Sequence, residues 1–417
     1  MLVQTILNHV QEIKGVVYGK INWSTWENDS TLEVEIRPRK GSRAICSGCG
    51  EKRAGYDKRD RRRFEFIPIL GIRVFLIYQM RRVNCPRCGV KVEKVPWAEG
   101  KSEITTTYQW FLASWAKRLS WQEVADVFHT SWYYVYEAVE MAVQWGRAHM
   151  DKSGITAIGI DEMQVGTGHI YVTLVYQIND GIRRLLWIGE RRKAKTLLRF
   201  FRWLGEERTG QVQYVCSDMW KAYLKVVKKK AVNAIHILDR FHIVMQMNKA
   251  IDEVRAQEAK KLKAEAKDEI LKRSRWLFLR RKQNLNEKQS IRLAEIVKHN
   301  LRTVRSYLLK EEFQLFWEYK SVWWAGRFFD EWCKKTMRSK IEPMKKVARM
   351  LRNHRELILN WFRAKKKFSS GVVEGLNNKA KLTIKRAYGY KSFRTLEVAL
   401  YHTLGDLPEP KFTHRFF

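Results

Sequence analysis

Four of the six cysteines stand in two equal spacings, Cys46-x2-Cys49 in ICSGCGE and Cys85-x2-Cys88 in NCPRCGV, with a glycine directly after each pair. That pattern is a knuckle: two thiolates on a tight loop whose backbone N–H groups point at sulfur. Two knuckles close a tetrahedral four-thiolate set, which suits Zn2+. A pair of disulfides would use the same residues, but a cytosolic setting disfavours them. Two copies of this turn chemistry also argue against a redox C-x-x-C. Structural zinc is therefore expected at Cys46, Cys49, Cys85 and Cys88, while Cys216 and Cys333 read as core residues.

A second chemistry is suggested by acids at strand ends. Asp161 follows the apolar AIGI, and Asp218 follows VQYVCS. Carboxylates on neighbouring strands can converge on two divalent ions about 3.5–4 Å apart, the arrangement that drives phosphoryl displacement. Such a site normally needs a third acid from a helix packed on the sheet. The segment SSGVVEGLNNKAKLTIKRAYGYKSF offers one. Ser369 or Ser370 can cap a helix that carries Glu374, and Asn378 and Lys381 follow on the same face, with Lys385 one turn on. A plain solvated helix has no use for Gly375, Asn377 and Asn378, which are poor helix formers.

These groups need elements to position them. After Gly154 come ITAIGIDEMQ, HIYVTLVYQI and GIRRLLWIGER, three β-type runs separated by Gly166-Thr167-Gly168 and Asn179-Asp180-Gly181. A basic amphipathic helix over 193–208, the strand QVQYVCSDMW, a helix over 221–230 and the strand AVNAIHILDRFH complete the order. Three meandering strands followed by helix-connected strands predict an RNase H-like α/β core in which the Asp161 and Asp218 strands are neighbours.

Upstream, RRRFEFIPILGIRVFLIYQMRRVNC alternates like a strand pair hung on the zinc. Arg61, Arg62, Arg63, Arg81 and Arg82 would give this ribbon a basic face for DNA. Residues 105–145 are helical in pattern. LSWQEVADVFHTSWYYVYEAVEMAVQW reads as helix, turn, helix, with Ser120 and Glu123 at capping-box spacing and Ser131 opening the second helix. This outline predicts a helix-turn-helix whose candidate base readers are Trp132, Tyr133 and Tyr136. From 251 to 362 a Lys/Arg/Glu-rich stretch with aromatic residues at helical spacing reads as an all-α insertion. Some of those aromatics could stack a flipped base, although most are more simply core.

The expected fold is thus multidomain α+β. A zinc ribbon occupies 1–100, a helix-turn-helix 101–150, the first part of the core 151–250, the insertion 251–362, and the C-terminal part of the core with the Glu helix 363–417. Composition agrees. The 417 residues carry 80 Lys+Arg against 44 Asp+Glu, a net charge of +36 that points to a polyanionic partner. With 45% hydrophobic residues the chain is not a disordered basic tail. Neither a membrane-spanning run nor a signal peptide is read, so a cytoplasmic, nucleoid-associated protein is expected.

Taken together, ICSGCG and NCPRCG, IGIDEM, VCSDMW, LDRFH and VVEGLNNKAKLTIKRAYGYKSF resemble the ISL3 family of insertion-sequence transposases. The resemblance covers nearly the whole chain, in the family's motif order, and EGLNNKAK with RAYGY is its most specific piece. It implies a DDE transposase that binds terminal inverted repeats and catalyses metal-dependent strand cleavage and strand transfer. It assigns Asp161, Asp218 and Glu374 as the catalytic acids, in preference to neighbours such as Glu162. The implied cofactors are two Mg2+ (or Mn2+) beside the structural Zn2+. The implied partners are double-stranded DNA, both terminal repeats and target, and a second copy of the chain, with no membrane. Asp239 and His242 look like the D-x-x-H signature of many DDE groups and, with Asn378, are expected to support the site. Lys381, Lys385 and Arg386 fall where DNA contacts follow the Glu. The Tyr and Arg that precede the Glu in a related signature are replaced by Lys367 and Ser370. The competing class is a catalytically silent, domesticated transposase acting as a sequence-specific DNA-binding regulator.

Overall fold

The computed structural model describes residues 3–10, 13–26, 29–166, 168, 170–368 and 371–411. The chain divides into two units, Met1–Asp151 with Leu382–Phe417, and Lys152–Lys381. The 363–417 segment, expected as one piece of the core, is shared between them.

The first unit opens with α1 (Val3–Val10) and then β1 (Val16–Trp26), β2 (Asp29–Pro38), β3 (Ala44–Ile45), β4 (Lys52–Ile69), β5 (Ile72–Cys85) and β6 (Gly89–Val92). They form one sheet in the order β1-β2-β5-β4-β3, with β6 also on β5. The expected strand pair is β4–β5, closed by a tight turn at Leu70 and Gly71, both at positive φ. It belongs to a larger sheet because Leu32, Val34 and Ile36 alternate along β2 and need burial. β2 runs parallel to β5, and Trp97 packs edge-on against Phe64 and Tyr78. Next come α2 (Thr106–Trp115), α3 (Trp121–Val127) and α4 (Trp132–Ala148). The capping box forms as read: Ser120 Oγ accepts from Glu123 N, and Glu123 Oε2 accepts from Ser120 N at 2.6 Å. Ser131 caps α4 by accepting from Tyr134 N at 3.2 Å.

The second unit is built on β7 (Ala157–Gly166), β8 (Ile170–Asn179) and β9 (Ile182–Glu190). After them come α5 (Ala194–Leu204), α6 (Glu206–Gln211), β10 (Tyr214–Ser217), α7 (Lys221–Lys230), β11 (Ile235–Leu238) and α8 (Arg240–Ala264). The sheet order is β11-β10-β7-β8-β9. The first three strands are antiparallel, joined at β8–β9 by a two-residue Asp180-Gly181 loop with Gly181 at φ +83°. Strands β10 and β11 run parallel to β7, as helix crossovers require. Ile158 and Ile160 of β7 face Leu197, Phe200, Tyr223 and Val227 of α5 and α7. By strand alternation Gly159 and Asp161 face the other side of the sheet.

Residues beyond β11 are helical. α8 runs unbroken across position 251, so the helical region begins at Arg240. It continues through α9 (Arg275–Leu279), α10 (Glu287–Val297), α11 (Arg302–Gln314), α12 (Val322–Arg338), α13 (Glu342–Asn353) and α14 (Arg355–Arg363). Phe278, Phe313, Phe316, Trp317 and Phe329 are its core, while Trp276, Trp323 and Trp324 are exposed. α14 returns to β11, where Asn360 Nδ2 donates to His236 O at 2.8 Å. α15 (Gly371–Arg386) carries Glu374, and the unit boundary falls inside it. The proposed caps Ser369 and Ser370 lie outside the described residues. α16 (Phe393–Leu404) packs on α4 in the first unit. Among the described residues, no helix is long and apolar enough to cross a membrane.

Candidate functional site

Strand register lines up three acids. Tyr214, Val215 and Cys216 pair with Ala157, Ile158 and Gly159, and Ser217 pairs with Leu238. Continued one or two residues past the strand ends, that register sets Asp218 beside Asp161 on one side and beside Asp239 on the other. The backbone follows it, since Asp239 N donates to Ser217 O at 2.9 Å. The three acids thus fall side by side in register, Asp161 midway along β7 and Asp218 and Asp239 just past the C-terminal ends of β10 and β11, the usual place for a ligand site in such sheets.

Each carboxylate is held by its surroundings. Asp161 accepts Glu162 N at 2.7 Å on Oδ1 and the Asn377 side-chain amide on Oδ2. Asp218 Oδ1 accepts Trp220 N at 3.0 Å. Asp239 caps α8, accepting Phe241 N at 2.7 Å, and its other oxygen lies 2.9 Å from His242 Nδ1. Burial pushes the Asp161 carboxyl above the usual range, and the charges of Asp239 and Asp218 add to that, against the Glu162 N–H and His242. Burial disfavours a charged His242, but Asp239, Asp161 and Asp218 outweigh it and hold its pKa above the ordinary histidine value.

Two partners of this cluster were not foreseen. Glu162 points to the opposite side of β7 from Asp161, and burial together with Asp218 pushes its pKa up to about 7. Arg192 forms an ion pair with Glu162, lies 3.5 Å from Asp218 Oδ2, and stacks 4.5 Å above the Trp220 ring.

Helix α15 meets β7 at two points. A Cβ on Gly159 would sit 2.4 Å from Val373 Cγ2, so only glycine allows this approach. One turn on, Asn377 is buried; its amide reaches Asp161, and its carbonyl accepts from Tyr176 Oη at 2.8 Å. Asn378, expected as the supporting amide, is exposed, as are Glu374, Lys381, Lys385 and Arg386. The structure therefore brings together Asp161, Asp218, Asp239 and His242, and places Glu374 on the first turn of the same helix, at the flank of the Val373–Asn377 face. The signal for Asn377 was present. Val373, Leu376, Asn377 and Ala380 form an i, i+3, i+4, i+7 stripe with one polar member. Arg386 donates to Arg118 O at 2.9 Å in the first unit.

The cysteine cluster is tighter. One Sγ from each of Cys46, Cys49, Cys85 and Cys88 lies within 4.8 Å of all the others. Among the described residues this is the only group of three or more His, Cys, Asp or Glu so closely gathered. Gly48 N donates to Cys46 Sγ at 3.4 Å, and a Cβ on Gly48 would come 2.9 Å from Cys88 Sγ. Gly50 and Gly89 sit at φ +73°, the left-handed conformation that ends each knuckle. Burial opposes a Cys85 thiolate, but the N–H groups of Arg87 and Cys88 prevail and bring its pKa to about 6. Four convergent thiols with N–H support fit a tetrahedral divalent ion. The carboxylate cluster is more open, with hard oxygen donors at the edge of a sheet, and fits Mg2+ or Mn2+.

The expected DNA-binding residues divide. Arg81 forks onto Glu93 at 2.7 and 2.9 Å, Arg82 pairs with Asp57, and Arg63 pairs with Glu33 and covers Phe75. Arg62 donates to Lys101 O and Ser102 O, and Arg61 is exposed. Trp132 and Tyr136 stack on each other and lean at a tilt against Trp121, and both Trp132 and Tyr133 are exposed.

A family model described as a transposase, of the DDE ISL3 type, matches residues 158–400. The chain is similar to the transposase for insertion sequence element IS1001 of Bordetella parapertussis, 27% identical over 394 residues, covering 94% of this chain and 96% of that protein. It is also similar to the transposase for insertion sequence element IS1557 of Mycobacterium tuberculosis, 28% identical over 387 residues, covering 87% and 86%.

Proposed function

Since the chain belongs to the ISL3 family of insertion-sequence transposases, we propose that it binds the terminal inverted repeats of its element and cleaves and rejoins DNA strands there with divalent metal. The observation that carries this reading is the row Asp161, Asp218, Asp239 across three parallel strands, with the Glu374 helix anchored to the first of them through Asn377. The strand order β11-β10-β7-β8-β9 supports an RNase H-like core.

Asp161, Asp218 and Glu374 would hold two Mg2+ or Mn2+ ions, which when bound supply an activated oxygen nucleophile and charge neutralisation at the phosphate. Asn377, fixed by Tyr176, holds the Asp161 carboxylate in one orientation. The Asp239–His242 pair sets an imidazole beside the acids, where a ring N–H can donate to a phosphate oxygen. Lys381, exposed on α15, would contact the flanking backbone phosphates. The cysteine site would carry Zn2+ and stiffen a ribbon that, with α3 and α4 as a helix-turn-helix, recognises the element's ends as a dimer or larger assembly. Of the expected readers and phosphate contacts, Arg61, Trp132 and Tyr133 are exposed, with the Tyr133 hydroxyl donating to Glu137 Oε1 at 2.7 Å.

The test is end cleavage. With Mg2+ the protein should nick duplexes that carry the element's ends, and Asp161→Asn should abolish nicking while binding to the ends persists. Normal cleavage by that variant would overturn the assignment.

A further inference from the structure

The one cation inside the acidic cluster that nothing above has used is Arg192. Its backbone is aimed there by an unusual turn. Strand β9 ends at Glu190, and Arg191 then takes φ +69°, a left-handed conformation that non-glycine residues seldom adopt. The turn is pinned on both sides: Arg191 N donates to Tyr171 O at 2.9 Å, and Arg191 O accepts from Thr173 Oγ1 at 3.0 Å. The reversal sends Arg192 back over the sheet edge, where Trp220 supplies a flat shelf for its guanidinium. From that shelf it pairs with Glu162 from one strand and Asp218 from the next.

We propose that Arg192 is the resident counter-ion of the carboxylate site: it neutralises Glu162 and Asp218 before metal arrives, and its positive charge competes with a divalent ion for Asp218. The inference rests on the metal-dependent reading of this site. Asp218 Oδ1 accepts the Trp220 N–H and Oδ2 faces the guanidinium at 3.5 Å, so a divalent ion on Oδ2 would sit against the positive charge of Arg192. The side chain has room to withdraw. It is one-third exposed, and its pairing with Glu162 on the far side of β7 can keep it at the rim. Arg192 is a positioning residue here, acting through Asp218 and Glu162. A merely structural ion pair would leave metal affinity alone, or weaken it as the site loosened.

The experiment titrates Mn2+ into the full-length protein without DNA, following free Mn2+ by electron paramagnetic resonance. Arg192→Gln should bind Mn2+ about tenfold more tightly than wild type, because a competing positive charge is gone. Arg192→Lys should stay close to wild type. Trp220→Leu, which keeps the arginine but removes its shelf, should tighten binding by a smaller factor and serves if Arg192→Gln does not fold. Unchanged or weaker Mn2+ binding in the folded Arg192→Gln or Trp220→Leu variant would overturn the proposal. Asp161→Asn is read alongside and should weaken Mn2+ binding. If it does so while the Arg192 and Trp220 variants do not tighten binding, only the counter-ion role fails. If Asp161→Asn binds Mn2+ like wild type, the metal reading of the site fails, and the counter-ion role with it.

Discussion

The cysteine cluster takes its four thiols from two turns, each holding a pair three residues apart, while the carboxylate cluster takes Asp161, Asp218 and Asp239 from three neighbouring strands and Asn377 from a helix more than two hundred residues after Asp161. The thiols already converge. The carboxylates are aligned but open, with Arg192 among them. A site that converges through local turns works as a staple for the fold around it. A site assembled by strand register depends on a fold that is already made, and can tolerate loss of a ligand without unfolding.

The largest effect should come from breaking the staple. Cys85→Ser, or removal of metal by a chelator, should abolish the cooperative melt of the first unit, because structural zinc contributes about 10 kcal/mol or more of folding free energy in small domains. Asp161→Asn should leave the calorimetric melt of the second unit in place. A Cys85→Ser protein that still melts cooperatively and resists proteolysis would remove the contrast.

Next in size is Asn377→Ala. Removing a partner that orients a metal-binding group typically lowers activity by about 10–100-fold, and end cleavage should fall by that much. The exposed neighbour Asn378→Ala should fall far less. Equal losses would mean that α15 presents a different face to β7.

Gly159→Ala sharpens the same point through packing. Its new methyl collides with Val373, so thermal stability should drop by about 1–3 kcal/mol, and Val373→Ala should recover much of the loss in a double-mutant cycle.

The most general effect is acid sensitivity, which both units share and which builds up gradually with falling pH. Burial pushes His402 in the first unit down to about 3 and His236 in the second down to about 4. Both are neutral when folded, whereas an unfolded histidine takes a proton near pH 6.5. Below that pH the unfolded chain binds protons that the folded chain does not. Stability is therefore complete above about 6.5 and falls as pH drops toward 4, by up to about 1.4 kcal/mol per pH unit for each histidine. Denaturant melts across that range should show the slope, and His402→Phe should flatten it.

What could be read from the sequence follows the same division. Cys46, Cys49, Cys85 and Cys88, the Ser120–Glu123 box and the Asp180-Gly181 hairpin depend on neighbours a few residues away, so spacing alone reveals them. The order of strands β7 to β11 was also legible, because each has its own apolar run and turn signals. The strands β1 and β2, which complete the first sheet, were not read, since their pairing with β5 is set by long-range burial. Periodicity put Glu374, Asn378 and Lys381 on one helical face but could not say which face meets the sheet. That choice depends on Val373 finding the space left by Gly159. Arg192 and Glu162 were missed because a left-handed turn at Arg191 directs the arginine, and nothing in the residue type at 191 announces one.

The central claim is that a divalent ion sits between Asp161 of β7 and Asp218 just past β10, with Glu374 beside them. The most direct measurement replaces Mg2+ with Fe2+ and maps where ascorbate and peroxide cut the protein backbone. The account predicts cuts near Asp161, Asp218 and Glu374 that excess Mg2+ suppresses and that Asp161→Asn abolishes. Cuts elsewhere in the chain, or cuts at these positions that Mg2+ does not suppress, would contradict it.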